Sequence, residues 1–330
     1  MKGNIGGILK YVLSVLVAAV LVYFAFRGTD WKVFLDGLVG TNWWFICLSV
    51  SAALAALFFR EERWRIQLLP LDSGISRFSV WHSSNVGNLL NIVIPGVGEF
   101  TRCGYVSTKK APYDKVFGTI LMERAWDVLA IAVLLVLAAL TNTDVIIPFM
   151  REHVFEPFAG RFDFSLWWIA ALLVILAAAA LWAVFRFSAE NAFCAKLAGW
   201  LRGMAEGFSS FAGMDRKALF LLYSAAIWMM YILMTWFTFL AIPGLDHLGF
   251  ADAVFISAVG NIASVIPTPG NIGPYHYLVG IAISTIYLQA DAMTAQGLLC
   301  ATLSHGTHAI LIILLGLESY FRISFKKKVS

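Results

Sequence analysis

The sequence predicts an all-α integral membrane protein with six transmembrane helices plus two re-entrant helical hairpins in an inverted repeat. Three observations predict this fold: the composition, the length of the apolar runs, and two apolar segments interrupted by proline and glycine. The chain of 330 residues is 60% hydrophobic and 13% charged, with a mean hydropathy of +0.79. Soluble domains average about 45 to 50% apolar and about 25% charged residues, so lipid is the expected surroundings of this chain.

Six apolar runs are long enough to cross a bilayer, which requires about 20 residues in a helix. Met1 to Lys10 could open a signal peptide, but no small-residue cleavage site stands out. The first apolar run is therefore interpreted as a retained helix. The six predicted spans are residues 8–26, 42–59, 116–140, 166–185, 218–242 and 292–316.

The basic residues predict the orientation of these spans. With the N-terminus inside, nineteen of the 24 lysines and arginines fall on cytoplasmic segments, as the positive-inside rule requires. We therefore expect a multi-pass protein of the cell membrane, the inner membrane of a bacterial-type cell, with both termini cytoplasmic. The basic tail at 326–328 is interpreted as attraction to lipid headgroups and not as a nucleic-acid site.

Two further apolar segments, residues 79–106 and 255–284, each contain a Pro-Gly break between two apolar halves. Proline and glycine end one helix and allow another to begin, so each segment is predicted to form two half-helices of a re-entrant hairpin. Basic residues flank the first segment and aspartates flank the second. We therefore expect the two hairpins to begin on opposite sides of the membrane.

The two hairpins also resemble each other in sequence. Residues 86–88 and 259–261 are both Val-Gly-Asn, and the pair Pro95-Gly96 corresponds to Pro269-Gly270. Each half contains two spans, one hairpin and one span, an odd number of crossings, which inverts the second half. Residues 1–330 are thus predicted to be a single polytopic domain with a first repeat at 1–140 and a second at 166–316. An amphipathic connector, 188–215, is expected to lie on the cytoplasmic interface.

The third predicted span contains three ionisable residues, Glu123, Arg124 and Asp127. Together they cost about 9 kcal/mol at a span centre on insertion scales, so a compensating environment is required. Glu99 and Arg102, which follow the first break, could supply it. Two interpretations remain open: buried ion pairs that fix the hairpin against the span, or a polar cavity that holds a charged headgroup.

The second half contains histidines where the first contains charges. His276 follows the second break, and His305 and His308 lie three residues apart in the last span. They could be hydrogen-bonded core residues or groups that couple protons to a conformational change. We expect no metal site and no cofactor, since no carboxylate or thiolate stands at ligand spacing from these imidazoles.

Both breaks point the free N–H groups of a half-helix toward the membrane centre, an arrangement that favours phosphate. Glycines at the breaks would let a ligand approach the backbone closely, and asparagines would add neutral hydrogen-bonding groups. These candidate binding residues are Gly98, Gly270, Asn88, Asn91, Asn261 and Asn271.

Three motifs carry a resemblance to a known family: "GEFTR" at 98–102, "ERAWD" at 123–127 and "PTPGNIG" at 267–273. In this order, they resemble the flippase-like transmembrane domain of lysylphosphatidylglycerol synthases, the multiple peptide resistance factor family. The resemblance implies a domain that moves aminoacylated phosphatidylglycerol between leaflets, while a separate C-terminal domain makes that lipid. The chain ends soon after its last span, so synthase activity is not expected. His276 and His305 also stand where the family often has Glu and Arg, which leaves the lipid open.

The predicted function is that of a translocator for a phosphate-bearing lipid, either a phospholipid or a polyprenyl-phosphate lipid, and not that of an enzyme. Arg102 and Arg124 would bind phosphate, while Glu99, Glu123 and Asp127 would orient them or meet a cationic headgroup. Two alternatives remain: an integral-membrane transferase with a polyprenyl-phosphate donor, and a scaffold for a separate lipid-modifying enzyme. The expected partners are the lipid, such an enzyme, or further copies of the chain.

Overall fold

A computed structural model describes residues 5–141, 151, 182–189, 191–209, 213–263, 266–288, 290 and 293–329 of the chain. These residues form helices and the turns between them, and no strand occurs among them. In chain order the helices are α1 (Ile5–Phe26), α2 (Trp31–Val39), α3 (Trp43–Leu68), α4 (Arg77–Val93), α5 (Val97–Val106), α6 (Tyr113–Thr141), α7 (Ala192–Phe208), α8 (Lys217–Ala241), α9 (Phe250–Ala263), α10 (Pro274–Ala282) and α11 (Ala295–Val329).

Three helices of the described residues are long and apolar enough to cross a membrane: Trp43–Leu68, Lys217–Ala241 and Ala295–Phe325. They correspond to the second, fifth and sixth predicted spans. The first and third predicted spans coincide with α1 and α6. Most of the fourth predicted span, 166–185, lies outside the described residues. Its described part, from 182 onward, is helical to 186. The all-helical membrane class is therefore confirmed, while the count of six spans stays a prediction.

Two helices extend beyond their predicted ends, and one helix was not predicted. The second span was placed at 42–59, whereas α3 continues to Leu68. The sixth was placed at 292–316, whereas α11 continues to Val329. Helix α2 lies between the first two spans, and the Asp30 carboxylate caps it by accepting hydrogen bonds from the backbone N–H of Lys32 and Val33.

Both predicted breaks are present as interruptions between two helices. Helix α4 ends at Val93 and α5 begins at Val97, with Gly96 at a φ of 82°. In the second half, α9 ends at Ala263, a short 3-10 turn covers Pro269–Asn271, and α10 begins at Pro274 after Gly273, whose φ is 99°. Left-handed backbone of this kind is accessible to glycine at little steric cost. Whether these broken helices re-enter the membrane stays a prediction.

Two close contacts between backbones hold α5 against α4 and α7 against α6. Helices α4 and α5 pack on each other so closely that a Cβ atom built on Gly98 would lie 1.9 Å from the Gly87 carbonyl oxygen. Helix α7, inside the predicted connector 188–215, packs on α6 in the same way: a Cβ built on Gly207 would lie 1.9 Å from the Lys115 carbonyl oxygen. The connector is thus a helix packed on α6, and its place at the membrane interface stays a prediction.

The apolar core is unequally divided between the two halves. The larger buried cluster is built mainly by α8 to α11, and Phe34, Ile46 and Leu134 join it from the first half. A smaller cluster surrounds Trp64 and includes Val80, Cys103 and Ile120. Helices α3 and α8 connect the two halves, and the Ser49 hydroxyl donates a hydrogen bond to the Met234 carbonyl at 2.9 Å.

Candidate functional site: a buried ionic cluster beside two helix breaks

Glu123 of α6 is the centre of a network of ion pairs among three helices. Its side chain is fully buried and accepts hydrogen bonds from Arg60 Nε at 3.0 Å and Arg102 Nη2 at 2.9 Å. Arg63 Nη2 lies 3.5 Å from the same carboxylate. Because Arg60 and Arg63 belong to α3 and Arg102 belongs to α5, this one carboxylate fixes α3 and α5 against α6.

The network becomes more accessible away from Glu123. Arg63 pairs with Asp127 at 2.7 Å, and Arg102 pairs with Glu99 at 2.7 Å. Arg124 contacts Glu99 and lies 3.8 Å from Asp127. The exposed fraction of the side chain rises from 4% at Arg102 to 46% at Arg124. Arg124 is therefore the member of this network best placed to meet a ligand from outside the bundle.

We call these seven side chains the ionic cluster: Arg60, Arg63, Glu99, Arg102, Glu123, Arg124 and Asp127. Four guanidinium groups pair with three carboxylates, so the paired groups have one positive charge in excess; Glu61 lies within electrostatic range of Arg102 but outside these ion pairs. Two nitrogens of Arg63, Nε and Nη1, are buried without a hydrogen-bond partner. An arginine that keeps free donors in a low-dielectric site favours an anionic ligand, because charge attraction is stronger there than in water.

Aromatic rings of α3 and α8 cover two arginines of the ionic cluster. The Arg102 guanidinium lies over the Trp64 ring, 4.5 Å from its centroid, and Arg63 lies 5.8 Å from the Phe220 centroid. Such contacts add electrostatic attraction to the ring face. They also keep the interior of the cluster apart from water, which strengthens its ion pairs.

The sequence prediction was incomplete for Arg60 and Arg63, which it assigned to a cytoplasmic segment after a span that ends at 59. In the structure α3 continues to Leu68 and Arg63 is 1% exposed, while the side of the membrane on which these arginines lie stays a prediction. The helix can continue into the interior because Glu123 and Asp127 of α6 supply a carboxylate for each guanidinium. The three-residue spacing in "REERWR" placed both arginines on one helical face, a signal that would have suggested a shared partner.

The first break is stabilised by an asparagine of the preceding helix. Asn91 Oδ1 accepts a hydrogen bond from the backbone N–H of Gly98 at 2.7 Å. The Asn91 side chain therefore satisfies one of the N–H groups at the start of α5 that have no partner within the helix. Glu99 stands in the same first turn. One turn before Asn91, the Nδ2 atom of Asn88 is buried without a partner.

The second break is surrounded by histidines. His305 Nε2 donates a hydrogen bond to the Gly270 carbonyl at 2.8 Å, and the His276 and His305 rings lie 5.1 Å apart by centroid. His308 follows on α11, within electrostatic range of His305 and of Arg60 in the ionic cluster. Two buried atoms at this break have no hydrogen-bond partner, His276 Nδ1 and Asn271 Oδ1. We call His276, His305 and His308 with Gly270 and Asn271 the histidine group.

The two breaks lie next to each other. A Cβ atom built on Gly270 would lie 3.5 Å from the Ile92 side chain, and the 3-10 turn packs on α4. The ionic cluster and the histidine group therefore flank one region where four half-helices end. Of the predicted site residues, Asn261 lies near the end of α9, and its Nδ2 atom donates a hydrogen bond to the Ser257 carbonyl of the same helix at 2.8 Å. Within the described part of the chain, no three His, Cys, Asp or Glu side chains are arranged as a metal site.

Comparison with known proteins agrees with the membrane class of the chain. The family model described as "Lysylphosphatidylglycerol synthase TM region" matches residues 11–316. A UPF0104 membrane protein of Pyrococcus horikoshii is 25% identical over 286 residues, which cover 80% of this chain and 83% of that protein. No solved structure matches the chain.

Proposed function

Because this chain belongs to the family of lysylphosphatidylglycerol synthase transmembrane regions, we propose that it moves a phosphate-bearing lipid between the leaflets of a membrane. The observation that carries the proposal is the ionic cluster, which has an excess of one guanidinium group and lies beside two adjacent helix breaks. A membrane protein that only needed stable packing would gain little from such a cluster, since buried ion pairs often contribute less stability than apolar packing.

The lipid phosphate binds at the outer edge of the ionic cluster. Arg124 is half exposed and holds Glu99, which stands in the first turn of α5. A phosphate that reaches Arg124 competes with Glu99 for the guanidinium, while the buried pair of Arg102 and Glu123 keeps α5 fixed to α6. The acyl or prenyl chains stay in the membrane, so only the headgroup has to cross the apolar interior.

Exposure of the headgroup to the second leaflet requires movement of one half against the other. In this proposal the chain has six spans and two re-entrant hairpins in an inverted repeat, with both termini cytoplasmic. The broken helix of the second half then moves against the first half around one central site, as broken helices do in transporters built from repeats. The histidine group offers uncharged hydrogen-bonding partners to the headgroup on the far side of the breaks.

Transport can be tested with purified protein in liposomes that contain a fluorescent phosphatidylglycerol quenched by external dithionite. The wild-type protein should expose inner-leaflet probe to the quencher, and Arg124→Gln should reduce that rate by about tenfold, the value of one charge-assisted contact. Lys115→Gln is the matched control, because Lys115 pairs with Glu206 on α7 outside the ionic cluster. Wild-type transport by Arg124→Gln would contradict the proposed role of the cluster.

Assays on the same purified protein distinguish the translocator from the other two candidate functions. Incubation with a labelled polyprenyl-phosphate sugar and analysis of the extracted lipids would reveal a transferase as a new labelled product. A protein that neither moves nor modifies lipid in liposomes would act as a scaffold for a separate lipid-modifying enzyme. Either result would replace the translocator proposal.

A further inference from the structure

A pocket of about 360 Å³ lies between α3 and the first turns of α4. Three aromatic side chains line it, Phe58, Phe78 and Trp81, together with Val80. Its charged lining consists of Glu61, Glu62 and Arg77. The volume is within the range of pockets that bind small ligands or lipid headgroups, about 300 to 1,000 Å³.

This pocket is separate from the ionic cluster, because the two use opposite faces of α3. Successive residues of a helix are about 100° apart. Phe58, Glu61 and Glu62 therefore share one face, while Arg60 and Arg63 point about 150° away from its centre. Glu61 also lies within electrostatic range of Arg102, so a test of the pocket needs Arg77, at its outer edge, as well as Glu61.

Glu61 is the feature of the pocket that the protein itself does not satisfy. Glu61 is 4% exposed, and its Oε2 atom has no hydrogen-bond partner. Ser84 and Arg102 are its polar neighbours, but neither forms a hydrogen bond with that atom. Arg102 is already paired with Glu99 and Glu123. A buried carboxylate oxygen without a hydrogen bond is costly, and a ligand ammonium that donates to this carboxylate would reduce that cost.

Glu62 and Arg77 complete the charge pattern. The Arg77 Nε atom lies 3.0 Å from Glu62, which is buried, while the Arg77 side chain is 71% exposed at the edge of the pocket. The charge therefore changes from negative inside to positive outside. Aromatic side chains beside a carboxylate are the surroundings in which proteins hold organic ammonium groups.

From this pattern we propose that the pocket binds the headgroup of an aminophospholipid, with the ammonium at Glu61 and the phosphate at Arg77. The primary ammonium of phosphatidylethanolamine donates hydrogen bonds to the Glu61 carboxylate and lies among the aromatic rings. Its phosphate contacts the exposed Arg77 guanidinium, and its acyl chains follow the apolar surface near Phe58, whose exposure is 48%. This site does not depend on transport, and it is distinct from the site of the translocated lipid.

The test uses the full chain in nanodiscs of phosphatidylglycerol with a trace of photoreactive phosphatidylethanolamine. After illumination, digestion and mass spectrometry should locate the label on peptides that contain Phe58 or Trp81, and unlabelled phosphatidylethanolamine should compete with it. Glu61→Gln should reduce labelling of these peptides by about tenfold, since it removes the charge while keeping the shape of the side chain. Glu206→Gln, which removes an exposed carboxylate on α7, should leave labelling unchanged.

A second variant keeps the proposal testable if Glu61→Gln does not fold. Arg77→Gln should weaken labelling by phosphatidylethanolamine several-fold but leave labelling by a photoreactive alkylamine, which has no phosphate, unchanged. The proposal is overturned if Glu61→Gln is labelled like the wild type. It is also overturned if a photoreactive phosphatidylglycerol labels the same peptides as strongly as photoreactive phosphatidylethanolamine does and depends equally on Glu61.

Discussion

The two broken helices of this protein have the same backbone plan but opposite polar chemistry. In the first, α4 and α5 meet at paired glycines, and the residues after the break enter the ionic cluster. In the second, α9 and α10 are joined by a 3-10 turn, and histidines and asparagines surround the break. Charge pairs fix the first half, whereas the second half depends on a large apolar cluster and single neutral hydrogen bonds.

This difference has a physical consequence for movement. Separating paired charges inside a protein is costly, so α3, α5 and α6 should move together as one unit. A neutral hydrogen bond contributes only about 1 kcal/mol, so the second break can rearrange at much lower cost. The comparison therefore assigns the rigid part to the first half and the more easily moved part to the second.

The largest effect that would test this comparison is expected from Glu123→Gln. The substitution leaves Arg60, Arg63 and Arg102 without their common carboxylate, and removing one partner of a buried ion pair costs about 3 to 5 kcal/mol. Thermal unfolding of the purified protein should show a strongly lowered melting temperature.

The matched variant in the second half is His305→Leu, which removes one hydrogen bond to the Gly270 carbonyl and should cost about 1 kcal/mol. Glu206→Gln serves as a control for loss of an exposed carboxylate and should have an effect of less than about 1 kcal/mol. If His305→Leu destabilised the protein as much as Glu123→Gln, the distinction between a rigid and a movable half would be wrong.

A smaller effect is expected from glycine substitutions, which compare how tightly the two broken helices are packed. In Gly98→Ala the new methyl group would overlap the Gly87 backbone, which cannot move aside, and overpacking of this kind costs about 1 to 3 kcal/mol. In Gly260→Ala it would meet the Tyr275 ring at 2.7 Å, and a side chain can shift more readily than a backbone.

Gly104→Ala is the control within α5, because a Cβ atom there would have nothing within 4 Å, and alanine favours a helix by up to about 1 kcal/mol over glycine. The melting temperatures should therefore rank Gly104→Ala highest, then Gly260→Ala, then Gly98→Ala. An equal loss in the two hairpin variants would show that both broken helices are packed equally tightly.

The smallest effect concerns a contact outside the apolar spans that adds to the rigidity of the first half. The Asp72 carboxylate, in the loop after α3, accepts hydrogen bonds from the Thr108 hydroxyl after α5 at 2.7 Å and from the Gly74 backbone N–H at 2.9 Å. These bonds hold the pKa of Asp72 below its ordinary value. A lowered pKa in the folded state means that the carboxylate stabilises the fold above the unfolded-state pKa of about 3.9 and loses this effect as the pH falls through the folded-state value.

Asp72→Asn should therefore lower the melting temperature slightly at pH 7, and the difference from the wild type should shrink as the pH falls below about 4. Asp252→Asn offers the comparison in the second half, where the carboxylate accepts a hydrogen bond from the Gly249 N–H at 2.8 Å beside its own helix. A difference between Asp72→Asn and the wild type that stayed constant with pH would contradict a role for the ionised Asp72 carboxylate.

The sequence determined the class of the protein, the places where helices break, and the residues after the first break that carry charge. These features are local, because apolar length, Pro-Gly pairs and ionisable side chains within apolar runs can be read without knowing which segments meet. Glu99, Arg102, Glu123, Arg124 and Asp127 were accordingly predicted, and they lie in one cluster.

Only the tertiary structure decided which groups form ion pairs with these charged side chains. Arg60 and Arg63 follow the predicted end of a span, and their burial depends on carboxylates of α6 that are 63 and 64 positions away in the chain. The unpartnered Glu61 oxygen and the pocket beside it depend in the same way on the packing of α3 against α4. Hydropathy measures the cost of placing a charge in lipid. The partner that offsets this cost comes from another helix, and the sequence does not show which helices are neighbours in space.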